Sequence, residues 1–260
     1  MYLGKRLRTS AALLAVAFAL CVAGVRAQAI PPSGTWNVQA TSDPVSVNFG
    51  VRVDTDRYHS DWNNDVPIAS LAGFTRDQLQ SDGTNVRFDF ARDAGTLHCV
   101  GYAAHNAGGG TFTFSPSTTF SDALAARGIT RPDVYQQLRM AMHNVSLAFI
   151  DMLRRNSTAI TSTDDIIRVL DHGVDQRYVD GLASAGYRSL GADQLVRMRD
   201  HGVTVSYVQG LIALGYRPTP EELVRLRDHG VTLDFVKRVK DHGYNATVEQ
   251  LIRMRDSGIG

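Results

Sequence analysis

Cysteine is scarce, at two in 260 residues, which excludes a disulfide framework as the basis of the fold. Neither sign of charge dominates, with 27 Lys and Arg against 26 Asp and Glu. That balance provides no basic field for nucleic acid. After the first thirty residues no apolar run approaches the roughly 20 residues that cross a bilayer. The familiar catalytic signatures are also missing. The chain has no Gly-x-Ser-x-Gly, no Walker loop, no paired-cysteine zinc knuckle and no His-Glu-x-x-His. No enzyme class, cofactor or metal is therefore implied. What remains is an ordinary globular composition, 43% hydrophobic with 23 Gly, long enough for one or two domains.

The amino-terminal end reads as an address. Lys5, Arg6 and Arg8 precede an apolar stretch from Ala11 to about Val25, and Ala27-Gln28-Ala29 supplies the small-x-small site of a cleavable secretory signal. Residues 1–29 are the expected signal peptide, with cleavage after Ala29 and a periplasmic or secreted destination. Its removal takes four of the 27 basic residues and one of the two cysteines. No membrane span is expected in what remains. Cys99, within Thr96–Val100, then reads as a buried small hydrophobe.

Residues 30–128 read as antiparallel strands. Val45, Val47, Phe49, Val51 and Val53 alternate with polar or small residues, the period of a strand with one buried face. Val86, Phe88 and Phe90 repeat the pattern, Asp93-Ala94-Gly95 offers a hairpin turn, and Thr96–Tyr102 pairs back. The run Ala107-Gly108-Gly109-Gly110 is expected to be the next turn, and Thr111–Phe114 the next strand. With Trp36–Ala40, four to six strands are expected, and the polar interval Asp54–Asp65 reads as a loop. A short helix over Phe120–Arg127 ends at Gly128. A long connecting helix is expected within residues 129–156, opened by Thr130, Arg131 and Pro132.

Residues 157–260 repeat. Asp171-His172-Gly173-Val174 recurs at 200, 228 and 256 (the last as Asp256-Ser257-Gly258-Ile259), at spacings of 29, 28 and 28. Gly186-Tyr187, Gly215-Tyr216 and Gly243-Tyr244 lie between. Such a period marks a stacked supersecondary unit. Gly173, Gly202, Gly230 and Gly258 read as helix-ending caps, because an apolar residue follows each and another stands five earlier, the Schellman pairing. Val203/Met198, Tyr216/Leu211 and Ile259/Met254 are three of seven such pairs. Thr219-Pro220-Glu221-Glu222 and Thr247-Val248-Glu249-Gln250 read as capping boxes. The fold expected is therefore α+β: an antiparallel sheet domain, a long helix, then an α-solenoid of seven short helices from about Thr163.

Two rows of side chains come with the repeat. His172, His201 and His229 precede the capping glycines, where a cation suits the helix dipole. Stacked helices stand roughly 8–10 Å apart, too far for successive histidines to share a metal ion. Arg197, Arg225 and Arg253, with Arg199 and Arg227 close by, form the candidate contact row for an acidic protein or peptide. Arg168, Arg197, Arg225 and Arg253 each stand three residues before an Asp, so intrahelical pairing is expected of them. The alternative site is on the sheet, where His59, Asp61, His98 and His105 could serve a hydrolase or a small-ligand sensor.

The combination of Arg92-Asp93-Ala94-Gly95-Thr96, Gly109-Gly110-Thr111-Phe112-Thr113-Phe114 and the repeated Arg-Asp-His-Gly-Val-Thr resembles uncharacterised exported bacterial proteins. It also resembles the extracytoplasmic extensions of some membrane metallopeptidases of the beta-lactam-sensor antirepressor type. The peptidase motif is absent, so no catalytic residue carries over. The resemblance implies an accessory or sensing module outside the membrane. The function expected from the residues is an exported, non-enzymatic interaction module with a protein or peptide partner, and no nucleic acid.

Overall fold

A computed structural model describes residues 32–55, 59–156 and 160–258. The expected signal peptide with its cysteine, and Ile259 of the last capping pair, lie outside those residues. The described chain is α+β. Seven strands form one antiparallel sheet: β1 (Ser33–Ala40), β2 (Ser46–Asp54), β3 (His59–Pro67), β4 (Leu71–Ala72), β5 (Thr84–Arg92), β6 (Gly95–Ala104) and β7 (Ala107–Pro116). Their order is β3-β2-β1-β7-β6-β5-β4. A short helix, α1 (Arg76–Gln80), joins β4 to β5.

The alternating residues of β2 behave as their period requires: Val47, Phe49, Val51 and Val53 are buried. Val45 is not, because it precedes the strand and stands 65% exposed. The sheet curls, and its outer strands meet across an aromatic core. Phe49 on β2 lies 6.0 Å from Phe88 on β5, and Trp62 on β3 lies 6.4 Å from Phe90 on β5, although β1, β7 and β6 intervene. Trp36 packs edge-on to Phe88 at 4.9 Å. Its indole N–H donates to the carbonyls of Val100 and Thr111, both at 3.1 Å.

The sheet has seven strands where four to six were expected, and three further local expectations need correction. The interval read as a loop holds β3, an edge strand hydrogen-bonded to all of β2. Only Val66 on it is fully buried, so an edge strand wetted on most of its side chains shows no alternation. The glycine run is strand, and the turn before it is His105-Asn106, with φ of 50° and 69°. Both residues are left-handed, as a two-residue hairpin of the primed type requires. Gly110 is needed where it lies, since a Cβ there would stand 2.1 Å from the Val100 carbonyl and 2.9 Å from Trp36 Nε1.

The third correction concerns the long helix. Helix α2 (Thr118–Ala126) is followed by two helices, α3 (Val134–Met142) and α4 (Leu147–Asn156). They break at Asn144, whose φ is +52°. The Val145 N–H donates to the Met140 carbonyl at 2.9 Å. That is the same ending as at the later glycines, with Asn in the left-handed position. The apolar stripe had concealed it, because both short helices bury the same kind of residue.

From Thr163 to Asp256 seven helices follow: α5 (Thr163–Asp171), α6 (Gln176–Ser184), α7 (Ala192–Asp200), α8 (Val205–Ala213), α9 (Pro220–Asp228), α10 (Leu233–Asp241) and α11 (Val248–Asp256). The capping hydrogen bonds are present at Val174→Val169, Tyr187→Leu182, Val203→Met198, Tyr216→Leu211, Val231→Leu226 and Tyr244→Val239, at 2.8–3.1 Å. Each helix packs on the next but one: α3 on α5, α5 on α7, α7 on α9 and α9 on α11, with α2, α4, α6, α8 and α10 forming the second series. Helix α3 also packs on β6 and β7. The buried Gln137 side chain fastens it there, donating to the carbonyls of Ala94 at 3.1 Å and Ser117 at 2.6 Å. No described helix is long and apolar enough to cross a membrane.

Candidate functional site

The packing of alternate helices puts equivalent side chains at steps of 28 or 29 residues against one another, and the charged rows follow from it. Arg168 on α5 binds Asp193 on α7 at 2.7 Å, as well as Asp165 on its own helix at 3.1 Å. Arg197 on α7 binds Glu221 on α9 at 3.1 Å, and Arg225 on α9 binds Glu249 on α11 at 2.7 Å. Arg253 reaches Glu249 of its own helix at 3.5 Å. These arginines therefore do not pair with the Asp three residues on. That Asp accepts instead from a histidine at the end of the helix two before it. His143 reaches Asp171 at 2.8 Å, His172 reaches Asp200 at 2.8 Å, His201 reaches Asp228 at 2.5 Å and His229 reaches Asp256 at 2.9 Å.

The expected histidine row thus has four members, each tied to a carboxylate one layer on. His143 was not legible as one of them because Asn144 interrupts the glycine signature. Among the described residues no group of three or more His, Cys, Asp or Glu is placed to hold a metal ion.

Arg199 and Arg227 differ from the other row. Their guanidinium groups lie over the rings of Tyr178 and Tyr207 at 5.1 and 5.0 Å, and Arg255 lies over Phe235 at 5.9 Å. Such cation–π stacking fixes the side chain on the previous layer. Arg255 Nε also donates to the Gly230 carbonyl at 3.1 Å. Arg199 and Arg227 therefore clamp one layer to the next, while Arg197, Arg225 and Arg253 keep side chains 53%, 41% and 74% exposed. The hydrogen bond to Glu249 raises the pKa of Arg225, and the same bond holds the Glu249 carboxyl below its ordinary value.

On the sheet, the four residues of the alternative site lie in three separate places, with only His59 and Asp61 together. His59 pairs with Asp54 and Asp61 with Arg52, both at 2.5 Å, between β3 and β2 at the sheet edge. His105 occupies the turn between β6 and β7, its N–H bound to the Ser81 carbonyl at 2.9 Å. His98 lies on the solvent side of β6, with β7, β1 and β2 between it and β3. Its own partners form a cross-strand relay: Nδ1 to Asp89 at 2.8 Å and Nε2 to Ser115 Oγ at 3.1 Å. A carboxylate on Nδ1 places the proton there and turns the Nε2 lone pair toward the hydroxyl, the order of a nucleophile, base and orienting acid. His98 and Asp89 are about half exposed.

Asp89 could have been found from sequence, since a turn at Asp93-Ala94 sets it opposite His98. Ser115 could not, because its register depends on the true turn at His105-Asn106. Cys99, fully buried on the other face of the same strand, has its thiol pushed up to about 12 by burial and is no nucleophile.

No family model matches the chain, and neither a curated protein nor a solved structure matches it.

Proposed function

We propose that the chain is an exported protein-interaction module whose helices form an α-solenoid. In this reading it binds an acidic protein or peptide along the row Arg197, Arg225 and Arg253. One observation carries the reading: three arginines at equivalent positions of α7, α9 and α11 remain substantially exposed, held by two exposed carboxylates, Glu221 for Arg197 and Glu249 for both Arg225 and Arg253. Exposed pairs of this kind are worth about 0–1 kcal/mol, so a partner's carboxylates can replace Glu221 and Glu249 at small cost. Arg199 and Arg227 hold the layers in step, which keeps the row evenly spaced. Repeating helical layers commonly serve as extended binding surfaces. Export to the periplasm or beyond is supported by the basic, apolar and small-residue order of residues 1–29. The resemblance to extracytoplasmic extensions of membrane metallopeptidases supports an accessory or sensing role there.

Cross-linking in the native envelope, followed by mass spectrometry, tests this. A partner captured by the wild-type chain and lost when Arg197, Arg225 and Arg253 are all replaced by Ala is the expected result. A partner that survives the triple replacement removes the arginine row from the site, and no reproducible partner removes the module.

A second reading, a hydrolase on the sheet, is favoured by the Asp89–His98–Ser115 relay alone. A fluorophosphonate adduct on Ser115 that disappears in His98→Ala is what it requires. Absence of the adduct discards it.

A further inference from the structure

Two successive helical layers show what the layer before each of them holds, so the outer face of α11 can be understood from its counterparts. Tyr187 and Tyr216 donate their hydroxyls to the carbonyls of Pro218 and Ala246 one layer on, at 2.5 and 2.9 Å. Those carbonyls stand immediately before the N-caps Thr219 and Thr247. Two positions after each cap is the carboxylate, Glu221 or Glu249, that takes Arg197 or Arg225. Met198 and Leu226, the apolar residues following those arginines, are fully buried. A helix docking on its predecessor therefore brings a carbonyl, an acid and apolar surface in fixed order.

Tyr244, Arg253 and Met254 are the same three groups at α11. Here Tyr244 is 61% exposed and Met254 only half-buried. With Asn245, Ala246 and Gln250 they line a groove of about 290 Å³. The carboxylate that Arg253 meets, Glu249, is shared with Arg225.

Two departures from the repeat narrow the occupant. Gly181 and Gly210 admit Val205 and Leu233 so closely that a Cβ would stand 2.7 and 2.4 Å from them. The equivalent residue of α10 is Arg238, exposed and charged, so a second helix cannot seat on α10 as α8 does on α6. Ser257 replaces the histidine that would ask for an acid at the far end of the incoming helix.

We propose that this groove takes the first turns of a single acidic amphipathic helix from a protein partner. The carbonyl before its N-cap meets the Tyr244 hydroxyl, a carboxylate in its first turn meets Arg253, and an apolar side chain covers Met254. The inference rests on the interaction-module reading and narrows it to one surface.

The probe is a fluorescein-labelled, lactam-bridged peptide copying residues 217–231, which carries Pro218, Thr219 and Glu221. It is titrated into the full chain and followed by anisotropy. Saturable binding is expected, weakened at least about tenfold by Arg253→Glu in the protein or by Glu221→Arg in the peptide, as for a close charge pair at an interface. The two reversals together should restore most of the affinity. The variant's unchanged circular dichroism excludes unfolding as the cause. No saturable binding, or a loss that the double reversal fails to recover, overturns the proposal. A dimer in sedimentation that Arg253→Glu dissolves would seat a second copy in the groove and also overturn it. Envelope capture that depends on Arg197 and Arg225 yet ignores Arg253→Glu and Tyr244→Ala would leave the module standing without this site. Peptide binding with no captured partner would do the reverse.

Discussion

On β6, a Cβ at Gly101 would lie 2.2 Å from the Gly109 carbonyl and 2.7 Å from the Trp36 ring. After α7, a Cβ at Gly202 would meet nothing nearer than 3.5 Å, but the residue holds φ at +70°. The sheet uses glycine for space and the helices use it for backbone conformation. The two halves differ in the same sense elsewhere. The sheet's core is a cluster of Phe and Trp rings contributed by strands far apart in sequence. The helical half is assembled from neighbours: a cap within five residues, then a contact one layer away. A fault in the sheet's core is expected to reach strands far apart in sequence, and a fault at a helix end to act first on the helices packed against it.

Substitutions at glycine should separate the two cases most clearly. Gly101→Val places a branched side chain inside backbone and indole and should cost at least about 3 kcal/mol. A melting temperature lowered by about 6–12 °C is the corresponding readout in a unit of this size. Gly202→Val and Gly230→Val should each cost about 1–2 kcal/mol, because a β-branched residue resists positive φ. Melts in which Gly202→Val proves as damaging as Gly101→Val would end the distinction between space and conformation.

A smaller effect belongs to the tyrosines between layers. Tyr178 and Tyr207 donate to the carbonyls of Val203 and Val231 at 2.9 and 2.7 Å, and Phe235 occupies the same place one layer on. Tyr207→Phe should cost about 1 kcal/mol, measured by urea unfolding. Burial pushes both phenols up to about 12. A folded value above the unfolded one, near 10, means their contribution is complete below about pH 10 and is lost as pH rises through about 12. Beside Tyr187 and Tyr216, which burial also raises, absorbance at 295 nm should show Tyr178 and Tyr207 ionising late, together with loss of helix. Their titration near pH 10 in the folded chain would remove the buried phenols from the account.

The smallest change expected is at the histidine row. His201→Gln or Asp228→Asn breaks a half-exposed pair and should cost no more than about 0.5 kcal/mol, less in high salt. A larger, salt-insensitive loss would mean that the row, and not the apolar contact beneath it, holds the layers together.

Caps, strand alternation and the 28–29 residue period are consequences of interactions within a few residues, so they were legible in the chain alone. Helix ends at Gly173, Gly202 and Gly230, the β5–β6 hairpin and the buried face of β2 all belong to this class. The direction of the arginines was not legible, because a guanidinium can reach three residues along its own helix or across to the next. The packing of α7 on α9 chose the second for Arg197. Edge strand β3 escaped for a related reason: its pairing is made by backbone, which every residue has. The Asp89–His98–Ser115 relay needed two registers at once, and the second depended on a turn of left-handed His105 and Asn106 that the neighbouring glycines masked. Local rules set the elements, because capping and periodicity are short-range. Which charged groups meet was decided only when the layers closed, because side-chain partners across 24–28 residues are a property of packing.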